Sequence, residues 1–354
     1  MKQLTSILLC VFFLSCNFNS NFAPGTSSLP RTSPEKVQVN TEGINDFLSA
    51  IEDSGQEFHS MMILHKRKVI AEKWWNGHTP DSLHKMFSVS KSFTAAAVGF
   101  AIAENYLTVN DKVISFFPED LPDTISPYLA QLRVHDLLTM STGQEREPDR
   151  SYRNENDNWE KLFFNTPIIY QPGTRFHYNS MASYMLSAIV QKVSGEKIFD
   201  YLTPRLFEPL DIHNISWEEN SQGVNVGGWG MNLKTEDMAK FGQLFLQNGS
   251  WNGTQLLPEG WAEEASAYQI ANSDENPEQI GANPTDWNQG YAYQMWRTKH
   301  NGYRADGANG QEIIIIPDAD LVVIFTANLR DLGEAFNIVW EKLLPIIPKK
   351  NNNQ

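Results

Sequence analysis

Strand-forming text occurs in two separated stretches of this chain, and almost everything between them has helical spacing. Met61-Met62-Ile63-Leu64 and Val69-Ile70-Ala71-Glu72-Lys73-Trp74-Trp75 are divided by the charged turn His65-Lys66-Arg67-Lys68. The second stretch opens at 293–297, passes an Asn301-Gly302 hairpin turn into Tyr303-Arg304-Ala305, and continues through 312–316 and 321–325. From about 92 to 264 the text consists of helical pieces broken by Pro and Gly, such as 182–190 and 235–246. Residues 44, 47, 48 and 51 carry helical apolar spacing ahead of the first strand, and a last amphipathic helix runs from about Gly333 to Leu344. The outer stretches must therefore pair into one sheet, with the insertion packed against it as a helical lobe. The order predicts an α/β (α+β) domain over 41–348. Its five-stranded antiparallel sheet is flanked by the terminal helices, and the helical lobe (about 92–264) is inserted after the second strand. Residues 349–354 read as a disordered tail.

Composition narrows the partners. The chain is 41% hydrophobic, enough for a sizeable core, and its 12% aromatic content predicts large apolar clusters and an aromatic-lined cleft. A net charge of −14 argues against binding nucleic acid or an anionic membrane through a folded surface. Both cysteines, Cys10 and Cys16, fall in the first sixteen residues, so thiol and disulfide chemistry are excluded from the rest. Lys2 is followed by an apolar run over 7–14, shorter than the about 20 residues that span a bilayer, which fits an export signal. Leu14-Ser15-Cys16 resembles the lipobox of bacterial lipoproteins, which implies lipidation of Cys16. Phe13 stands where that pattern usually has an aliphatic residue, which leaves a plain secretory signal open. Residues 17–40, rich in Asn, Ser, Thr and Pro, read as a flexible tether. The expected protein is exported, periplasmic or cell-surface, and held at a membrane by a lipid on Cys16.

The chemistry starts at Ser88-Val89-Ser90-Lys91, a Ser-x-x-Lys pattern opening a helix of small residues, Phe93-Thr94-Ala95-Ala96-Ala97-Val98-Gly99. Residues three apart share a helix face with Cβ atoms roughly 5–6 Å apart, so Lys91 can reach the Ser88 hydroxyl. A serine needs such a base to become a nucleophile. The same pattern recurs at Ser33/Lys36, Ser82/Lys85 and Ser194/Lys197, so context decides among them. Ser33 lies in the polar leader, Ser82 in a loop, and Ser194 beside Gly195 reads as a helix cap. Only Ser88 precedes a run that demands burial, and a lysine one turn into a buried helix is costly unless paired or functional. Tyr178, in Phe176-His177-Tyr178-Asn179-Ser180 ahead of an apolar helix, is the candidate second proton carrier; simple packing is the alternative. Ala305-Asp306-Gly307-Ala308-Asn309-Gly310-Gln311 leads into the isoleucine run, its glycines permitting close approach of a ligand.

Over roughly 41–346 the chain resembles the serine beta-lactamase-related hydrolases: class C beta-lactamases, DD-peptidases and esterases of that fold. The texts that carry the resemblance are Met86-Phe87-Ser88-Val89-Ser90-Lys91-Ser92-Phe93, His135-Asp136-Leu137-Leu138-Thr139-Met140-Ser141-Thr142-Gly143 and Gly227-Gly228-Trp229-Gly230-Met231. Within the family the look is nearest to the branch of 6-aminohexanoate-oligomer hydrolases. The resemblance implies Ser88 as nucleophile, Lys91 as its base, Tyr178 as general acid/base, and the backbone N–H groups of Ser88 and Ala308 as oxyanion hole. It implies no cofactor, and a small ester, amide or peptide as substrate.

Two departures shape the expectation. The family's Tyr-x-Asn reads Tyr178-Asn179-Ser180, so either Ser180 or Asn179 orients Lys91. The family's Lys-or-His-x-Gly reads Ala305-Asp306-Gly307, which lacks the cation that grips a substrate carboxylate and adds an acid that repels one. Arg304 and Arg297 are the candidate substitutes. Trp229 either lines the cleft or packs on the lobe. The eight histidines show no metal spacing, and no metal is expected.

Overall fold

The computed structural model describes residues 28–148, 157–272 and 285–349. The signal segment 1–16 with Cys16, the first part of the tether and the last five residues lie outside these. The main sheet uses β1 (Glu57–His65) and β2 (Lys68–Trp74) from the first stretch. Short pairs follow: β3 (His84–Lys85), β4 (Ser216–Trp217) and β5 (Met231–Leu233) form a small second sheet, and β6 (Ser250–Trp251) with β7 (Thr254–Gln255) a hairpin. The second stretch gives β8 (Trp296–Arg297), β9 (Tyr303–Gly307), β10 (Gln311–Ile316) and β11 (Leu321–Asn328). The main order is β2-β1-β11-β10-β9-β8, antiparallel throughout, so the two stretches of strand text meet where β1 pairs with β11.

Continuous apolar runs in β1, β10 and β11 follow from burial on both faces. Met62, Leu64, Ile313, Ile315, Val322 and Ile324 point into the core shared with the helical lobe. Their alternates Met61, Ile63, Ile314, Ile316, Val323 and Phe325 point into a second core. That second core is closed by α1 (Thr41–Asp53) and by the C-terminal α9 (Leu332–Ile338). The lobe contains α2 (Ser90–Ala103), α3 (Val134–Leu138), α4 (Trp159–Asn165), α5 (Ser180–Ser194), α6 (Ile198–Leu202), α7 (Thr235–Leu246) and α8 (Trp261–Ser266). Helix α2 is buried from Ser90 through Ala101 and packs on α5. Small residues are needed there: a Cβ on Gly99 would sit 2.5 Å from the Trp261 indole.

Two expectations are corrected. The sheet has six strands, because Trp296 and Arg297 pair with Arg304 and Tyr303 at its edge. That strand is only two residues long since the residues before it bond to the lobe instead: Tyr293 N–H donates to Ala265 O and Gln294 N–H to Leu138 O, both at 3.0 Å. The tether, read through Asn40, is docked from residue 28 onward. The β2 edge offers unpaired backbone groups, and Val69 N–H donates to Pro30 O (2.8 Å) while Thr32 N–H donates to Val69 O (3.0 Å). Leu29, Val37 and Val39 are buried, and Arg31 bridges Glu72 (3.0 Å) and Glu236 (2.8 Å).

Candidate active site

Ser88 sits in the single 3-10 turn Phe87–Val89 that leads into α2. Phe87 just before it has φ 46°, a left-handed conformation that a bulky residue adopts only when its surroundings impose it. This tight corner leaves the Ser88 side chain half-exposed while Lys91, one turn on, is 1% exposed. The Lys91 Nζ lies 3.4 Å from Ser88 Oγ, 3.1 Å from Ser180 Oγ and 2.7 Å from the Gly228 carbonyl oxygen. Glycine at 228 is required for that last contact: a Cβ there would stand 2.9 Å from Ser180 O and 3.2 Å from the amine itself.

Burial in this apolar wall lowers the Lys91 pKa from 10.5 to about 7, against a smaller upward pull from the Glu147 carboxylate. Tyr178 completes the triangle. Its hydroxyl hydrogen-bonds Ser88, its ring lies 5.1 Å below Lys91 Nζ, and it stacks on Trp296 at 5.6 Å. Burial raises the Tyr178 pKa well above its usual value, with the Ser88 hydrogen bond a smaller opposing effect. The three side chains expected to act together therefore converge in one half-buried crevice.

Ser180 is the residue that touches Lys91. Asn179 is fully buried and serves the fold: its Oδ1 caps α5 by accepting from Met181 N–H (2.9 Å), and its Nδ2 donates to Gln144 Oε1 (2.7 Å). Gly307 ends β9 against the Phe87–Val89 turn, where a Cβ would clash with the Met86 carbonyl oxygen at 2.4 Å. Ala308, exposed, follows directly on the loop after β9. Trp229 packs on the lobe, stacked on Trp159 at 6.0 Å. Neither candidate cation is free. Arg304 is 0% exposed, its Nε donating to Asp306 Oδ2 (3.1 Å) and its Nη1 to Asp286 O (2.9 Å). Arg297 is held by Ser266 O (2.9 Å) and Asn301 Oδ1 (2.9 Å). Asp306 is thus tied to Arg304, with a buried Glu312 behind them whose pKa burial pushes well up.

Glu147 escaped the sequence reading. Its Oε1 accepts a very short hydrogen bond from Ser180 N–H, and its charge acts on both Lys91 and Tyr178. Nothing local separates it from Glu145 two residues before; only its place just after Ser141-Thr142-Gly143 hints at the site. Because Glu147 raises the Lys91 pKa, Glu147→Gln is expected to move the acid limb of the kcat/KM–pH profile to lower pH. An unmoved or upward-shifted limb would separate Glu147 from the amine. His59, His78 and His84, distant in sequence, stand together in a pocket that they share with Phe87 and Asn309.

A dry lysine against a serine at the head of a buried helix, on a sheet closed by both chain ends, defines a serine-hydrolase architecture. The Beta-lactamase family model matches residues 51–344, and the chain belongs to that family of serine hydrolases. It is 25% identical over 290 residues to the 6-aminohexanoate-dimer hydrolase of Paenarthrobacter ureafaciens, covering 77% of this chain and 73% of that one. Among solved structures, the octameric penicillin-binding protein homologue from Pyrococcus abyssi superposes with TM-score 0.65 at 18% identity, covering 84% of this chain and 75% of that chain. A penicillin-binding protein homologue from Caulobacter crescentus gives TM-score 0.65 at 13% identity, over 84% and 92% of the two chains. These structures share the fold.

Proposed function

We propose that the protein hydrolyses esters or amides that lack a carboxylate next to the scissile carbonyl, through an acyl-enzyme on Ser88. The observation that carries this reading is the Lys91 amine, desolvated and hydrogen-bonded within reach of Ser88 Oγ. The substrate carbonyl oxygen rests on the Ser88 and Ala308 N–H groups, where each donor lowers the barrier by about 2.7–4 kcal/mol. Ser88 Oγ attacks the carbonyl carbon and its proton passes to neutral Lys91. Tyr178, protonated through the neutral range, gives its phenolic proton to the leaving group and recovers one from the Lys91 ammonium. Water then attacks the acyl carbon by the same route reversed, with Ser88 Oγ as leaving group. Sequence alone left Lys91 and a Tyr178 phenolate as rival bases; the opposite directions of their pKa shifts favour the amine.

The substrate preference follows from the β9 wall, where Ala305 replaces the family's cation and both nearby arginines are engaged. Incubation with a chromogenic neutral ester, followed by peptide mass mapping, is expected to find a transient acyl group on the peptide containing Ser88. The kcat/KM for that ester is expected to exceed that for a peptide ending in D-alanyl-D-alanine, and to rise with pH through about 7. The reverse preference would favour a cell-wall peptidase, and an adduct that never turns over would favour a sensor. We also propose export and lipidation at Cys16, supported by the apolar run 7–14 and Leu14-Ser15-Cys16. No helix among the described residues is long and apolar enough to cross a membrane. Partition of the natural protein into detergent is expected to be lost in Cys16→Ser.

A further inference from the structure

We propose that His59, His78 and His84 bind a divalent first-row transition metal ion, Zn²⁺ by preference, on the flank of the active-site crevice. The three imidazoles come from separate segments: His59 from β1, His78 from the loop after β2, and His84 from β3. Their rings lie 4.3 Å (His59–His78), 5.0 Å (His78–His84) and 5.9 Å (His59–His84) apart. Their ligand atoms all fall within 4.8 Å of one another, the one such group among the described residues. A tetrahedral zinc with Zn–N bonds of about 2.0–2.1 Å places its nitrogens roughly 3.3 Å apart. Binding therefore requires the imidazoles, two pairs of which are now stacked (His59 on His78 and His59 on His84), to turn and bring their nitrogens closer together.

Two features suit the cluster to an ion. His84 is 4% exposed, and its Nε2 lies a long 3.5 Å from Thr326 Oγ1. Finally, Glu57 Oε1 lies 3.4 Å from His59 Nε2, and Glu57 Oε2 accepts from Asn328 Nδ2 at 3.0 Å. A carboxylate held against a ligand imidazole orients the ring and raises its basicity.

Three protein ligands leave a fourth position for water or an anionic group, the donor number of an open zinc site. The three histidines line one pocket with Phe87 and Asn309, the neighbours in sequence of Ser88 and Ala308. The ion would tie β1, the loop after β2 and β3 together just before the chain enters the Met86-Phe87-Ser88 corner. The site is independent of the hydrolytic reading and stands or falls by binding alone.

The test is zinc titration of the tag-free, metal-stripped full-length protein by calorimetry, with Co²⁺ absorption to report coordination. One ion per chain is expected, with tetrahedral Co²⁺ bands and a melting temperature that rises and saturates with zinc. His78→Ala, a half-exposed loop position, is expected to weaken zinc by 100-fold or more, and Glu57→Gln by about 10-fold. His213→Ala, at a histidine 65% exposed elsewhere, is expected to leave affinity unchanged. Circular dichroism checks that each variant is folded. Absence of stoichiometric binding, or binding that survives His78→Ala and His84→Ala in folded protein, would overturn the proposal.

Discussion

Ser88→Ala is expected to lower kcat for ester hydrolysis by about 10⁴–10⁶-fold while leaving the fold and its melting temperature nearly unchanged. The size follows from covalent chemistry: without Oγ no acyl-enzyme forms, and only the oxyanion pocket and binding remain to help water attack. Stability is spared because Ser88 is half-exposed in its turn, and its 3.4 Å contact with Lys91 is the longest that the amine makes. Tyr178→Phe is expected to cost several orders of magnitude as well, and the double variant little more than Ser88→Ala alone, since the groups act as a unit. A Ser88→Ala protein that still turns over the ester, or losses that simply multiply, would remove the serine from the chemistry. Measuring single-turnover rates alongside kcat separates loss of acylation from slow product release.

The parts of the fold legible in the sequence were those set by local pattern. Isoleucine and valine runs in 312–316 and 321–325 announced strands, and the alanine run after Ser88 announced a buried helix that isolates Lys91 from water. Residues 28–40 were misread because their composition is polar, while what docks them is backbone pairing to the β2 edge and the two-carboxylate grip on Arg31. Tertiary pairing of that kind leaves no periodic trace. The Ser88–Lys91 pair was readable because the two lie on one helical turn, and Tyr178 because it precedes a helix start. Glu147 and the histidine cluster were not, since each brings together residues distant in sequence. The role of Arg304 reversed for the same reason: its side chain points between Trp287 and Phe336, rings 4.8 and 4.7 Å away, and not into the cleft.

Lys91→Met is expected to abolish turnover and yet stabilise the folded protein at and below neutral pH. An amine whose pKa falls from 10.5 in water to about 7 when folded binds a proton less readily in the native state. Between those two values the unfolded chain holds more protons at this site, so native stability rises with pH across that window. Below pH 7 the full burden of the buried ammonium is present; above 10.5 it is gone. At 1.36 kcal/mol per pKa unit the burden is on the order of 5 kcal/mol. Methionine matches the length of the side chain but leaves the Gly228 carbonyl and the Ser180 hydroxyl without their donor, a loss of about 1–3 kcal/mol for a buried acceptor. The net gain expected at pH 6 is roughly 2–4 kcal/mol, and the difference between variant and natural protein should shrink and change sign as pH approaches 10. Denaturant melts of both proteins at pH 6, 8 and 10 measure this directly. A variant less stable at pH 6, with no pH trend in the difference, would mean that the lysine is charged and satisfied where it lies, and that a neutral base does not await the substrate. The stabilisation would also locate the expense of catalysis: the fold tolerates an unfavourable amine in its driest helix because only there is the amine uncharged beside a hydroxyl.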